Sequence, residues 1–526
     1  MRSSPLLALL SSLIACGGGS TDPDAGNPDA SGPDAGDPAD ADPSAVPRVE
    51  PAACRFGVDS SLGFTEGTDY ECGDLIVYED RAAAPGRTIR LHYIRFHGSG
   101  STTDASIYLD GGPGGSGEGI ISYFAYLGHP FLDPMLATGD FLVLGQRGTA
   151  LSVPFLDCGE SDCADFADTA DLPSYNTAYN ADDVDDLRAA LGYQRLNLYG
   201  ISYGSRLGLE VLRRHGEHVR VAVIDGLVPA QIIWTAEIPA SFYSSLSALD
   251  ASCADDGGCG AAFGDLVADF IAGVDALNAE PVTISYQGND TQLDGYTYAY
   301  LLFQVLYSKS TFPWLPLTIN DLATRRTDRV NDFLGNILNW ASGGNGISTG
   351  LYYSVVCGEL YNPPDDSAFD TANADVPAFI RDLFSGSWYG LLGTCETWPK
   401  GNLQTELAAP VTSSVPTLVG SGRLDPITPP RFGAIAAATL DASTSVVYEN
   451  SGHGATLQSA CANQHLHEFL ADPATVLDTG CAATVATEYV LPSAVTAPVL
   501  PVARIRAELA QAPLPPHLRR WLRSRQ

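Results

Sequence analysis

The sequence predicts an α/β fold: a mostly parallel sheet flanked by helices and interrupted by an inserted, mostly helical segment. Three observations predict it. Short apolar runs at Ser106-Ile-Tyr-Leu109, Arg195-Leu-Asn-Leu-Tyr199, Val415-Pro-Thr-Leu-Val-Gly420 and Ser445-Val-Val-Tyr448 have the length and content of buried strands. Gly200-Ile201-Ser202-Tyr203-Gly204 joins one such run to a helical pattern over residues 205–214. The interval from Asp225 to Val415 is too long for a loop, and Ala240 to Leu249, Phe263 to Leu277 and Tyr298 to Tyr307 in it have helical patterning.

The Gly-x-Ser-x-Gly turn lifts a serine hydroxyl out of a sheet edge, with glycines where side chains would strike neighbouring backbone. An ordinary glycine-rich turn would match the same pattern, but three further segments supply parts that acyl transfer needs. Asp110-Gly-Gly-Pro-Gly-Gly-Ser116 follows a strand and offers bare N–H groups to an oxyanion, with the N–H of Tyr203 as a second donor. Asp425 follows a strand in a tight loop, where it can orient a histidine. His453, in Glu-Asn-Ser-Gly-His453-Gly454, can take the serine proton and return it to a leaving group. Ser202, Asp425 and His453 run in the chain order of α/β-hydrolases.

Other residues compete for these roles. Asp225, in Val-Ile-Asp-Gly-Leu227, follows the next strand and stays open as the alternative acid. His465 and His467 lie two apart on a helical pattern and point in different directions. His215 and His218 are expected to cap the helix after the serine or to face solvent, and His92 and His97 lie in or beside an early strand.

At this point the chain resembles the tripeptidyl aminopeptidase and proline iminopeptidase branch of the α/β-hydrolases over roughly residues 54–485. The resemblance is carried by Gly111-Gly-Pro-Gly-Gly115, Gln146-Arg-Gly-Thr149 with Leu151-Ser152, the turn through Ser205-Arg206, Leu424-Asp-Pro-Ile-Thr-Pro429 and Gly452-His-Gly454. It implies Ser202 as nucleophile, Asp425 and His453 as its partners, Gly112 and Tyr203 as oxyanion donors, and no cofactor or metal. Two segments depart from the family pattern: Gly145 stands where an aspartate is usual, and Ile76-Val-Tyr-Glu-Asp80 replaces Val-Pro-Leu-Asp-Tyr. An exopeptidase that reads a free amino terminus needs a carboxylate at a fixed distance from its nucleophile. Glu359, two residues after Cys357, is the expected group and Glu237 the second candidate, with a surface glutamate as the plain alternative for each. Trp234, Phe303, Trp314, Tyr352 and Tyr353 are either pocket lining or core.

The division expected along the chain is a signal peptide at 1–15, a lipidated Cys16 with a tether to 50, a first hydrolase part at 51–228, a helical cap at 229–412, a second hydrolase part at 413–485 and an Arg-rich tail at 486–526. Leu13-Ile-Ala-Cys16 after a short apolar run resembles a bacterial lipobox, which predicts an exported lipoprotein of the outer membrane or cell surface. Pro-Asp-Ala-Gly units in the tether cannot bury a core. Acidic residues number 62 against 28 basic, for a net charge of −34, which argues against nucleic-acid binding and leaves peptides as the expected partners. Removing Cys16 leaves ten cysteines, and pairing in sequence would give 54–72, 158–163, 253–259, 357–395 and 461–481. Their spacing does not suit zinc. A carboxylesterase of the same fold and a catalytically silent, surface-binding lipoprotein are the other functions the sequence leaves open.

Overall fold

A computed structural model describes residues 46–158, 166, 169–286, 289–341, 347–361, 365, 367–402, 405–484, 487–492, 505 and 516. The expected signal peptide, Cys16, most of the expected tether and nearly all of the Arg-rich tail lie outside the described residues.

The strands are β1 (Arg48–Pro51), β2 (Tyr70–Tyr78), β3 (Thr88–Phe96), β4 (Ser101–Leu109), β5 (Gly139–Leu144), β6 (Arg195–Ile201), β7 (Val219–Asp225), β8 (Val282–Tyr286), β9 (Asn289–Leu293), β10 (Thr417–Gly422) and β11 (Ser443–Tyr448). Nine form one sheet in the order β1-β2-β3-β5-β4-β6-β7-β10-β11. From β5 to β11 every pairing is parallel, whereas β1, β2 and β3 add an antiparallel margin.

The parallel strands are apolar on both faces because helices cover both. Ile107, Leu198, Ile224 and Val419 point to one core, and their neighbours Tyr108, Tyr199, Val223 and Leu418 point to the other. Helices 177–190 and 203–215 cover the first face through residues such as Leu187 and Leu207. Helices 118–127, 129–136 and 460–471 cover the second through Phe124, Phe131 and Leu466. The result is three layers, with the sheet's carboxyl edge free to carry loops.

Asp225 at the end of β7 pairs with Gly420 of β10, so the chain leaves the sheet after 225 and returns beside its point of departure. The intervening segment is mostly helical, with helices at 238–255, 257–263, 266–279, 295–305, 315–323, 331–341, 349–355 and 378–397. Two details escaped the helical patterning. The run expected over 263–277 breaks at Gly264, with φ of +69°, and restarts at Asp265, whose side chain accepts the Ala268 N–H as an N-cap. The β8–β9 hairpin lies within a segment read as helical.

Disulfides join Cys54–Cys72, Cys253–Cys259, Cys357–Cys395 and Cys461–Cys481, each between cysteines adjacent in sequence order. Cys158 is disulfide-bonded as well, and Cys163 lies outside the described residues. No helix among the described residues is long and apolar enough to cross a membrane.

Candidate active site

β6 ends at Ile201, helix 203–215 begins at Tyr203, and Ser202 alone makes the turn with φ 59° and ψ −128°. Ser202 and Arg325 are the non-glycine residues with positive φ among those described. That conformation costs on the order of 1–3 kcal/mol and persists only where neighbours enforce it. They do so by close approach: a Cβ on Gly204 would lie 1.9 Å from Leu109 O, and one on Gly200 would lie 2.4 Å from Gly204 O. The Ser202 N–H is held by Asp225 O at 3.0 Å.

The glycine loop after β4 lies against the serine. A Cβ on Gly111 would meet Ser202 Cβ at 3.1 Å and Oγ at 3.6 Å. Asp110 stiffens this loop from beneath: Oδ1 accepts the Gly111 N–H at 2.9 Å and Oδ2 the Gly117 N–H at 2.7 Å, while Gln146 Nε2 donates to Asp110 O at 2.9 Å. Burial raises the Asp110 carboxyl above its usual range, and the two N–H donors work against that rise. Gly145, where the family pattern has an aspartate, contributes only backbone, its N–H donating to His92 O at 2.8 Å. Among the described residues the N–H groups of Gly112 and Tyr203 have no hydrogen-bond partner. Two unspent donors beside a serine hydroxyl can take up the charge of an oxyanion.

Asp425 and His453 come together at the same edge. His453 Nδ1 donates to Asp425 Oδ2 at 2.8 Å, and both side chains are buried. The remaining lone pairs of Asp425 are filled by Ile427 N (3.0 Å), Thr428 N (2.8 Å) and Thr428 Oγ1 (2.6 Å). Binding Nδ1 to a carboxylate fixes the imidazole tautomer and leaves Nε2 free to accept a proton. The ring lies over the backbone after β7, since a Cβ on Gly226 would meet Cε1 at 3.1 Å and Nδ1 at 3.2 Å. Gly454 approaches Ile201, the residue before the serine, at 3.4 Å measured in the same way. A strained serine, a carboxylate-held imidazole and two free N–H groups therefore share one sheet edge.

Asp225, the alternative acid, is not bonded to His453: its Oδ2 accepts the N–H and the hydroxyl of Thr456. Residues that sequence reasoning missed surround the histidine. Tyr307, from the inserted segment, stacks edge-on to His453 with ring centroids 5.1 Å apart, and its carbonyl accepts the His453 N–H at 3.0 Å. Gln458 Nε2 donates to the same carbonyl at 2.8 Å. Thr428, within Leu424-Asp-Pro-Ile-Thr-Pro429, places its hydroxyl within 3.0 Å of His453 Nδ1 as well as against Asp425.

The two glutamates expected to meet a substrate ammonium are both already engaged by arginines. Glu359 is buried, its Oε1 accepting the Thr177 N–H at 2.7 Å and its Oε2 the Thr177 hydroxyl at 2.8 Å, with Arg206 Nη2 at 3.5 Å. Burial raises its carboxyl above the usual range, and Arg206 opposes the rise. Both oxygens are occupied inside the protein, by Thr177 and Arg206. Glu237 pairs with Arg431 at 2.8 Å and is partly exposed. Trp234, Phe303, Trp314, Tyr352 and Tyr353 are all buried and pack on other rings, as Phe303 does on Phe242, Tyr307 and Phe384.

The other histidines lie elsewhere. His92 holds Asp74 at 2.7 Å, and His465 holds Tyr448 Oη at 2.9 Å. His467 packs its ring on Phe131. His215 and His218, expected as caps or solvent-facing, are instead partly buried against Asp182 and Asp185, each at 2.8–2.9 Å. Asp185, His215 and His218 could approach a metal together, but Arg188 already binds Asp185 at 2.6 Å and Arg214 binds Asp182 at 2.8 Å. Cys461, His465 and Cys481 also cluster, but their sulfurs are joined to each other and offer no thiolate.

Comparison with known proteins agrees with this geometry. A family model described as alpha/beta hydrolase fold matches residues 108–246, and one described as TAP-like protein matches residues 381–481. The serine protease Hip1 of Mycobacterium tuberculosis is 26% identical over 450 residues, covering 76% of this chain and 84% of that one. Carboxylesterase B of the same organism is 26% identical over 452 residues, with the same coverages of 76% and 84%. The tripeptidyl aminopeptidase of Streptomyces lividans is 32% identical over 190 residues, 30% of this chain and 35% of that one. The matched segments carry Ser202 in one case and both Asp425 and His453 in the other, and with the sheet order they give the chain an α/β-hydrolase fold similar to that of the TAP-like peptidases.

Proposed function

We propose that the protein is a serine peptidase that acts through an acyl-enzyme on Ser202 and removes short peptides or amino acids from peptide amino ends. The observation that carries this reading is the buried His453–Asp425 pair at the edge where Ser202 is held in its strained turn. His453 Nε2 takes the proton as Ser202 Oγ attacks the carbonyl carbon, and Gly112 and Tyr203 N–H groups receive the negative oxygen. The C–N bond breaks as the same imidazole returns the proton to the leaving amine. A water, deprotonated by His453, then splits the ester and restores the serine.

The amino-end polarity is supported by likeness to the tripeptidyl aminopeptidase rather than by a visible ammonium site, because both candidate glutamates are paired. A carboxylesterase is the second reading, favoured by the likeness to carboxylesterase B and by a triad that serves esters equally well. A silent binding protein is disfavoured, since it gains nothing from a strained serine and an aligned imidazole. Cys16 is read as a lipidated residue holding the enzyme outside the cytoplasm, and the disulfides among the described residues support an oxidising compartment.

A fluorophosphonate probe tests the core of the proposal: wild type should be labelled on Ser202 and Ser202→Ala should not. Folded wild-type protein that takes no label would sink it. Aminoacyl, prolyl and tripeptidyl amides assayed beside short-chain esters separate peptidase from esterase, and undiminished cleavage of N-acetylated peptides would remove the amino-end polarity. Cys16→Ser should move the protein out of the membrane fraction, and intact mass of the N-terminal peptide reads lipidation directly.

A further inference from the structure

One wholly buried carboxylate at the active edge takes no part in the mechanism above. Asp225 ends β7 and lies between β6, which leads into Ser202, and β10, which leads into Asp425. Its carbonyl accepts the Ser202 N–H at 3.0 Å. Its side chain turns to the opposite partner: Oδ2 accepts Thr456 N–H at 2.7 Å and Thr456 Oγ1–H at 2.6 Å, whereas Oδ1 has no partner. Since that hydroxyl donates to Asp225, Thr456 Oγ1 accepts from Tyr199 Oη, 2.8 Å away on β6.

Thr456 lies in the short helix 455–458, joined to His453 through Gly454 with φ of +76°. Gly454 permits that turn but does not enforce it, because glycine is conformationally free. The loop therefore needs anchors on its far side: Gln458 Nε2 donates to Tyr307 O, Tyr123 Oη donates to Leu457 O, and the Thr456 bonds to Asp225 are the ones that tie it to the strand end whose carbonyl holds Ser202. Asp425 fixes the imidazole through Nδ1 but leaves the backbone beneath the ring to other contacts.

We infer that Asp225 is a positioning residue, which pins Thr456 to the sheet edge and so fixes the backbone on which His453 meets Ser202. The inference rests on the triad reading given above. Oδ2 alone accepts both Thr456 bonds, so an amide oxygen can replace it there, while the Ala455 N–H that also faces the carboxylate costs Asp225→Asn part of the recovery.

The test uses the full chain, with kcat taken per active site counted by fluorophosphonate titration. Asp225→Ala should lower kcat about 10- to 100-fold with KM within about threefold, the size expected when a reacting group is misplaced by about 1 Å. Asp225→Asn should recover most of that loss, to within about fivefold of wild type. Thr456→Val, which removes a hydroxyl and spares the N–H, should fall between the two, and it carries the test if Asp225→Ala does not fold. A purely structural role would lower the yield of active sites and leave kcat per site unmoved. Wild-type kcat in both Asp225→Ala and Thr456→Val would overturn the inference, and so would Asp225→Asn as slow as Asp225→Ala. Activity surviving in Ser202→Ala would instead overturn the triad reading, an outcome none of the Asp225 variants can mimic.

Discussion

Asp425 and Glu359 are both buried carboxylates near the nucleophile, each with its oxygens filled by backbone and threonine donors, yet they do different work. Asp425 accepts Ile427 N, Thr428 N and Thr428 Oγ1 and has His453 as its charged-state partner. Glu359 accepts Thr177 N and Oγ1 and has Arg206. Imidazole gains and loses a proton near neutrality, so a carboxylate bound to it can steer chemistry. Guanidinium stays charged, so a carboxylate bound to it exchanges no proton with its partner. Arg206 has few alternatives, being committed also to Pro229 O, Ala230 O and Leu407 O. A buried acid's task is set by what it holds more than by where it lies.

The largest expected effect breaks the first side of this contrast. Asp425→Asn should lower kcat by about 10⁴-fold while the fold stays intact, because the amide favours the wrong imidazole tautomer. Release of amine from a chromogenic amide measures this, and a loss below tenfold would mean that Asp425 does not orient His453. Glu359→Gln addresses the other side. It leaves Arg206 charged and buried, so stability should fall by about 3 kcal/mol, read from urea midpoints. Any KM change should be equal for free-amine peptides and neutral esters, and a rise confined to free-amine peptides would return Glu359 to the substrate.

The smallest effect sharpens the contrast through pH. Glu210 lies on the same helix as Arg206, buried, with Oε1 unpartnered and Arg213 on Oε2 at 2.9 Å. Burial raises its carboxyl to about 7. An acid with a folded pKa above its unfolded one binds more protons folded than unfolded, so its contribution to stability declines as pH rises from about 4.5 to about 7. Glu210→Gln should remove up to about 3 kcal/mol of that decline, leaving stability more nearly level between pH 5 and pH 8. An unchanged pH slope in the variant would show that Glu210 ionises normally in the folded protein.

The parts of the site that were legible in the sequence are those built from neighbouring residues. The elbow glycines, the glycine loop and the Asp425 and His453 turns each declare themselves within about ten residues, because a close backbone approach demands glycine and a strand end demands a short apolar run before it. Partners far apart in the chain left no such mark. Arg206 and Glu359 are 153 positions apart, and Asp225 and Thr456 are 231 apart. The family pattern drew attention to Glu359 but could not say that Thr177 and Arg206 engage it. The Asp182 and Asp185 partners of His215 and His218 were hidden for the same reason, since they come from another helix. In the fold, the parallel sheet and the helical insertion followed from strand length and periodicity, whereas the β8–β9 hairpin did not, being two five-residue strands with a polar second member.

Tyr307 gives the inserted segment a consequence for protein engineering. Its ring and its carbonyl both contact the histidine loop, and a Cβ on Gly452 would lie 2.4 Å from that carbonyl. The insertion is thus part of the wall around His453, and cannot be trimmed or exchanged as an independent module. A chimera that takes its lid from a relative must carry over the turn at Tyr307 and a glycine facing it. Without them, a new specificity would arrive with a histidine loop that has lost its wall.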